Sequence, residues 1–145
     1  MANKMQQKVR HYSLTINQVV SQTEKIQEEL DPLFQKIQKA IKDDTVASLT
    51  ADEYHEIKTT FAARTADYQD LADELAAAVP PARLMGNQKF LAAAYQEFVD
   101  GCQAMTGSLQ ADQSVDQAAF SAAEAAQDAA TDKISKYLQR ISSLI

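Results

Sequence analysis

Few side chains in this sequence are of types that do chemistry, and their spacing excludes most of it. There are two histidines, His11 and His55, and one cysteine, Cys102. Helical bundles that hold paired metal ions use Glu-x-x-His on two helices and a Glu on each of the other two. Neither histidine here has a glutamate three residues before it. Asp52-x-x-His55 has the interval, but it falls at a helix start and has no second copy, so no metal site is expected. His11 follows Arg10 on a basic helix and reads as solvated. Cys102 has no partner for an internal disulfide and lies on a helical apolar stripe, where a thiol behaves as a small buried hydrophobe. The sequence has no Gly-rich phosphate loop, cysteine pair or nucleophile–base arrangement. Its serines cluster at helix caps and near the carboxyl terminus. The chain reads as non-enzymatic, with no catalytic residue and no cofactor.

The sharper chemical clue is the polar residues that interrupt apolar seams. Along the second helix, position 64 is a seam position and is an arginine; along the fourth, Gln127 interrupts in the same way. Counting along antiparallel helices puts Arg64 and Gln127 near one level. Leu30 and Pro32 fall close by, as do Tyr95 and Phe98, and Glu28, Glu29 or Glu97 can reach a guanidinium there. Three readings stay open. Thr65 faces inward and Arg64 extends along the flank; or a buried polar layer fixes register at some loss of stability; or the level holds a small-molecule site built from Arg64, Gln127, Tyr95 and Glu97. A second, weaker polar pair joins Gln88 to Tyr137 near the lower end.

The elements that position these residues are long helices. From Met5 an apolar seam runs Val9, Tyr12, Ile16, Val19, Thr23, Ile26, Leu30, Leu33, Ile37 and Ala40. Its steps alternate four and three, as in a helix packed lengthwise on others. The seam passes Pro32 in register, which predicts a kink there rather than a stop. Thr50 with Glu53 forms a capping box, and Leu49 with Tyr54 a hydrophobic staple, so a second helix starts there and ends before Pro80-Pro81. A third spans about 82–110, with Pro81 in its first turn. A fourth begins after Gln110-Ala111-Asp112-Gln113, with Ser114 and Gln117 as a weaker capping box. Its first half is so rich in Ala that it should lie unusually close to a partner. Short links make neighbours antiparallel, and the fold predicted is an all-α, up-down-up-down four-helix bundle, one domain over 1–145. With 25 Ala and 16 Gln against three Gly, three Pro and no Trp, composition agrees.

Length adds one expectation. A first helix of ~39 residues spans about 58 Å, and the others, at ~30 residues, about 45 Å. The first eight or so residues should therefore project past the bundle. Met5, Val9 and Tyr12 then become a candidate contact for a second copy or a protein partner; simple fraying of the end is the alternative.

Charge is uneven. Residues 1–42 hold seven Lys/Arg and four Asp/Glu, a balance of +3, and the remainder seven and sixteen, a balance of −9. A basic helix beside acidic ones favours docking within the chain, and the acidic body argues against nucleic acid as a partner. Lys4, Lys8, Arg10 and His11 make the amino end basic and amphipathic, but its narrow stripe is a poor membrane anchor, so membrane association is not expected. No stretch nears the ~20 apolar residues of a membrane span, and no signal-type apolar region follows the amino terminus. A cytoplasmic location is expected.

Pro81, Leu84, Asn87, Phe90, Ala94, Tyr95, Phe98, Gly101, Met105, Leu109 and Asp112, followed by the Ala-rich fourth helix, make about 60 residues that resemble small four-helix proteins of unknown function from low-GC Gram-positive bacteria. Many of those are lipoprotein-like, with a signal peptide and an amino-terminal Cys that this sequence lacks. The resemblance implies a helical bundle with no known catalytic activity. The function expected is a structural or protein-interaction module; the alternative is small-ligand binding or sensing in the core near Arg64 and Gln127.

Overall fold

The computed structural model describes residues 3–145, so residues 1 and 2 of the expected domain lie outside the described residues. The first helix, α1 (Lys4–Lys42), starts on a reciprocal cap. The Gln6 backbone N–H donates to the Asn3 side chain at 2.8 Å, and the Asn3 backbone N–H donates to the Gln6 side chain at 3.1 Å. Two donors that a helix start leaves free are thereby satisfied. At the other end Thr45 N–H reaches the Ala40 carbonyl at 2.8 Å and Asp44 N–H the Ile41 carbonyl at 3.2 Å. This is a Schellman turn, and Asp44 takes its left-handed φ of 55°, which Asp tolerates better than most residues. The helix is unbroken through Pro32, whose ring is on an exposed face. Proline removes the N–H that would bond the Glu28 carbonyl, and on that face water can replace it. Leu30 and Leu33 before and after it are half-buried, and Ile37 is buried.

The predicted capping box is formed at the start of α2 (Ala51–Ala77): Glu53 N–H donates to Thr50 Oγ1 at 3.1 Å and Thr50 N–H to Glu53 Oε1 at 3.2 Å. Lys36 from α1 adds an ion pair to Glu53 at 2.5 Å. The third helix begins later than its sequence suggests. Pro81 is buried and caps a 3-10 turn at Ala82–Leu84, and only then does α3 (Met85–Ser108) begin. The last helix, α4 (Gln117–Leu144), is capped by Asp116, whose side chain accepts from Ala119 N–H at 3.1 Å. Ser114 is not the cap. Its N–H and hydroxyl both turn back to Asp112, and Leu109 and Val115 form a single antiparallel bridge across the link. Tyr54 fixes this link to α2, its hydroxyl lying 2.6 and 2.9 Å from the carbonyls of Gln110 and Ser114.

The four helices form the predicted antiparallel bundle, but its seams are unequal. The pair α3–α4 packs most extensively, α2–α3 and α1–α2 less so, and the backbones of α1 and α4 hardly meet. The core is in two parts. The lower centres on Tyr12, Val19, Tyr68, Leu75, Leu91 and Phe98. The upper centres on Ile37, Ile57, Phe61, Met105 and Phe120. Leu30 touches both. No described helix is long and apolar enough to cross a membrane.

Candidate functional site

The inequality of the seams starts in α4. Ala123 and Ala130 are its buried small residues, and Gly101 of α3 faces it with no side chain at all. A Cβ at Gly101 would stand 2.9 Å from Gln127 Cγ, so the two helices approach more closely than any larger residue permits. Gln127 then spans the contact, its Nε2 donating to the Gly101 carbonyl at 3.1 Å. Drawn against α3, α4 leaves its other flank apart from α1, and a groove opens between the first and last helices.

Two cavities lie along that groove. The larger, about 330 Å³, occupies the level where the two halves of the core part. Phe61 and Met105 of the upper half and Tyr68 and Phe98 of the lower half line it, with Leu30, Phe34, Thr65, Cys102 and Gln127. The smaller, about 180 Å³, continues downward past Thr23, Leu91, Tyr95 and Ile134. Gln27 and Phe98 border both. Above, the groove is closed by Phe34 stacked on Phe120 (centroids 6.0 Å apart) and by Gln38 Nε2 donating to Glu124 at 2.9 Å.

The polar groups of this site differ in how they are satisfied. The Tyr95 hydroxyl is 2.7 Å from Thr23 Oγ1, which in turn bonds the Val19 carbonyl at 2.7 Å. Burial pushes the Tyr95 pKa up to about 12, with the Thr23 bond opposing it. Burial likewise raises the Cys102 thiol to about 12, so it is protonated at neutral pH and a poor nucleophile. The Tyr68 ring is 1% exposed and packs edge-on against Phe98, centroids 5.0 Å apart. Desolvation raises the pKa of its hydroxyl. Its hydroxyl bonds to no group of the described residues. Every fully occluded side-chain polar atom among them has a partner, so the Tyr68 hydroxyl is reached through the cavity that it lines.

The structure divides the residues singled out by sequence. Gln127 and Tyr95 both line the groove. Arg64 does not join them: it is half-exposed on the α1–α2 flank, 3.1 Å from Asp67 and 3.6 Å from Glu29, and Thr65, 6% exposed, takes the inward position. Burying a guanidinium without a full set of partners is far more costly than burying a threonine. Glu97 is also outside, paired with Lys133 at 2.9 Å. The lower polar pair is different as well. Gln88 bonds Tyr12 rather than Tyr137, which instead stacks on Phe90 with centroids 5.5 Å apart.

At the amino end of α1, Met5 is 49% exposed and Val9 half-buried, but Tyr12 is 1% exposed and belongs to the core. His11 is exposed, and no group of three or more potential metal ligands exists among the described residues. At the level of Arg64 and Gln127 the first of the three readings therefore holds, with Thr65 inward and Arg64 along the flank; sequence reasoning missed Tyr68, Phe34 and Phe61 as groove residues. The available signal was two neighbouring hydroxyl-bearing positions on the α2 seam, facing an α4 too small in side chain to cover them.

No protein-family model, curated protein or solved structure matches this chain, so its chemistry is read from its own residues.

Proposed function

We propose that the chain is a non-enzymatic helical-bundle binding protein that takes a small, largely apolar ligand into the groove between α1 and α4. One observation supports this above the rest: the core is interrupted at Leu30 by a cavity of about 330 Å³ lined from all four helices. This volume falls in the range of roughly 300–1,000 Å³ usual for ligand pockets, and the mix of aromatic wall and few polar groups is also theirs. Fluorescence titration with N-phenyl-1-naphthylamine tests it. A saturable, one-to-one enhancement is expected, weakened in Thr65→Phe, whose ring intrudes into the cavity, with helicity by circular dichroism unchanged. No enhancement with the native chain overturns the reading.

A second reading is favoured by the exposure of Met5, two turns before Tyr12, the first buried residue of α1. The projecting turns of α1 are then a contact for a second copy or a protein partner. Sedimentation at high concentration decides on self-association: a dimer that Met5→Glu with Val9→Glu converts to monomer supports it, and a native monomer rules it out.

A further inference from the structure

We infer that the ligand class this groove selects is an elongated organic cation, with an apolar or aromatic body and an amine or quaternary ammonium head. This deepens the small-ligand reading above and rests on it.

Three features combine. The first is charge. The charged side chains bordering the two cavities are Glu24, Asp31, Glu124 and Asp128, all carboxylates, and no Lys, Arg or His lines either one. These four take no part in the ion pairs of the described residues, which involve Glu29, Glu53, Asp67 and Glu97 instead. Asp31 and Glu124 accept only from neutral glutamine amides, Gln35 and Gln38. A patch of uncompensated carboxylates beside an apolar slot attracts a cation that brings its own apolar surface. The second feature is the wall: Phe34, Phe61, Tyr68 and Phe98 line the larger cavity, and their rings give an apolar or aromatic body a surface to pack against. The third is the Tyr68 hydroxyl, on a side chain 1% exposed, without a partner in the described residues and open to the cavity. That hydroxyl offers a hydrogen bond to an entering molecule without first having to break one to the protein. The ligand body therefore lies along the rings, its head among the carboxylates at the mouth.

The test uses one chromophore with three charges: diphenylhexatriene, its trimethylammonium derivative and its propionate derivative, each titrated into the full chain and followed by fluorescence. The cation is expected to bind about tenfold or more tightly than the propionate. That preference should shrink as salt is raised. It should vanish in the triple variant Asp31→Asn, Glu124→Gln, Asp128→Asn, while affinity for the neutral dye stays the same. Equal affinities, a preference for the neutral or anionic dye, or a cation preference that survives the triple substitution each overturns the cation assignment while leaving the groove a ligand site. Failure of all three dyes to bind overturns both.

Discussion

The Tyr12 hydroxyl donates to Gln88 Oε1 at 2.5 Å, joining two side chains 76 residues apart in a part of the core closed to solvent. Gln88 passes the connection on, its Nε2 donating to the Leu75 carbonyl at 2.6 Å. One buried amide thus ties α1 to α3 and to the last turn of α2, where helix carbonyls run short of donors.

Removing that amide leaves the Tyr12 hydroxyl buried with nothing to donate to. Gln88→Leu should destabilise the fold by about 1–3 kcal/mol in urea unfolding. The double variant Gln88→Leu, Tyr12→Phe should recover part of the loss, because both halves of the bond are then apolar. A double variant less stable than the single one would contradict this account.

Alkaline stability follows from the buried acids. The thiol of Cys102 rises from an ordinary 9.0 to about 12 and the hydroxyls of Tyr12 and Tyr95 from 10.0 to about 12, in each case chiefly through desolvation. All three hold their protons more tightly folded than unfolded. Their contribution is fully present below the unfolded values and is lost as pH climbs through 9 to about 12. Unfolding free energy measured against pH should show no loss from these groups below about pH 8 and a decline above 9, and Cys102→Ala should delay its onset toward 10.

Glycines divide by what faces them. Gly86 and Gly107 have nothing within 4 Å of an added Cβ, and alanine at either should stabilise by about 0.4–1 kcal/mol. Gly101→Ala must instead displace Gln127, whose Cγ is at 2.9 Å and backbone nitrogen at 3.3 Å, and should destabilise. Thermal melts of the three variants give the order.

The cap of α4 offers a direct comparison. Asp116→Ala should cost about 1 kcal/mol, and Ser114→Ala less, because Asp116 accepts the bond from Ala119 while Ser114 only closes a turn with Asp112. The reverse order by chemical denaturation would restore Ser114 as the cap.

These contrasts also mark how far the sequence could be read. Thr50 with Glu53 was legible because both partners of the bond lie within one turn, and the bundle was legible because its seams repeat over many turns. Arg64 was not, because positions 64 and 65 both continue the step from Phe61 to Tyr68. The choice between them is made by the cost of burying charge, outside the period. Gln88 could be matched by level to more than one tyrosine, and packing across the bundle selected Tyr12. The Ala content of α4 announced a close approach but did not say to which neighbour. Gly101 decides that, and with it where the groove opens.

The gap between α1 and α4 also bears on the order in which the bundle assembles. Each of the other seams joins helices connected by a short link, whereas the Gln38–Glu124 bond spans 86 residues of chain. Closing so long a loop is entropically slow unless the intervening hairpins form first. The edge between α1 and α4 has the longest loop to close and the least backbone contact behind it, which favours its forming last and loosening first. If the groove takes a ligand as proposed, folding speed and ligand entry draw on the same weak contact.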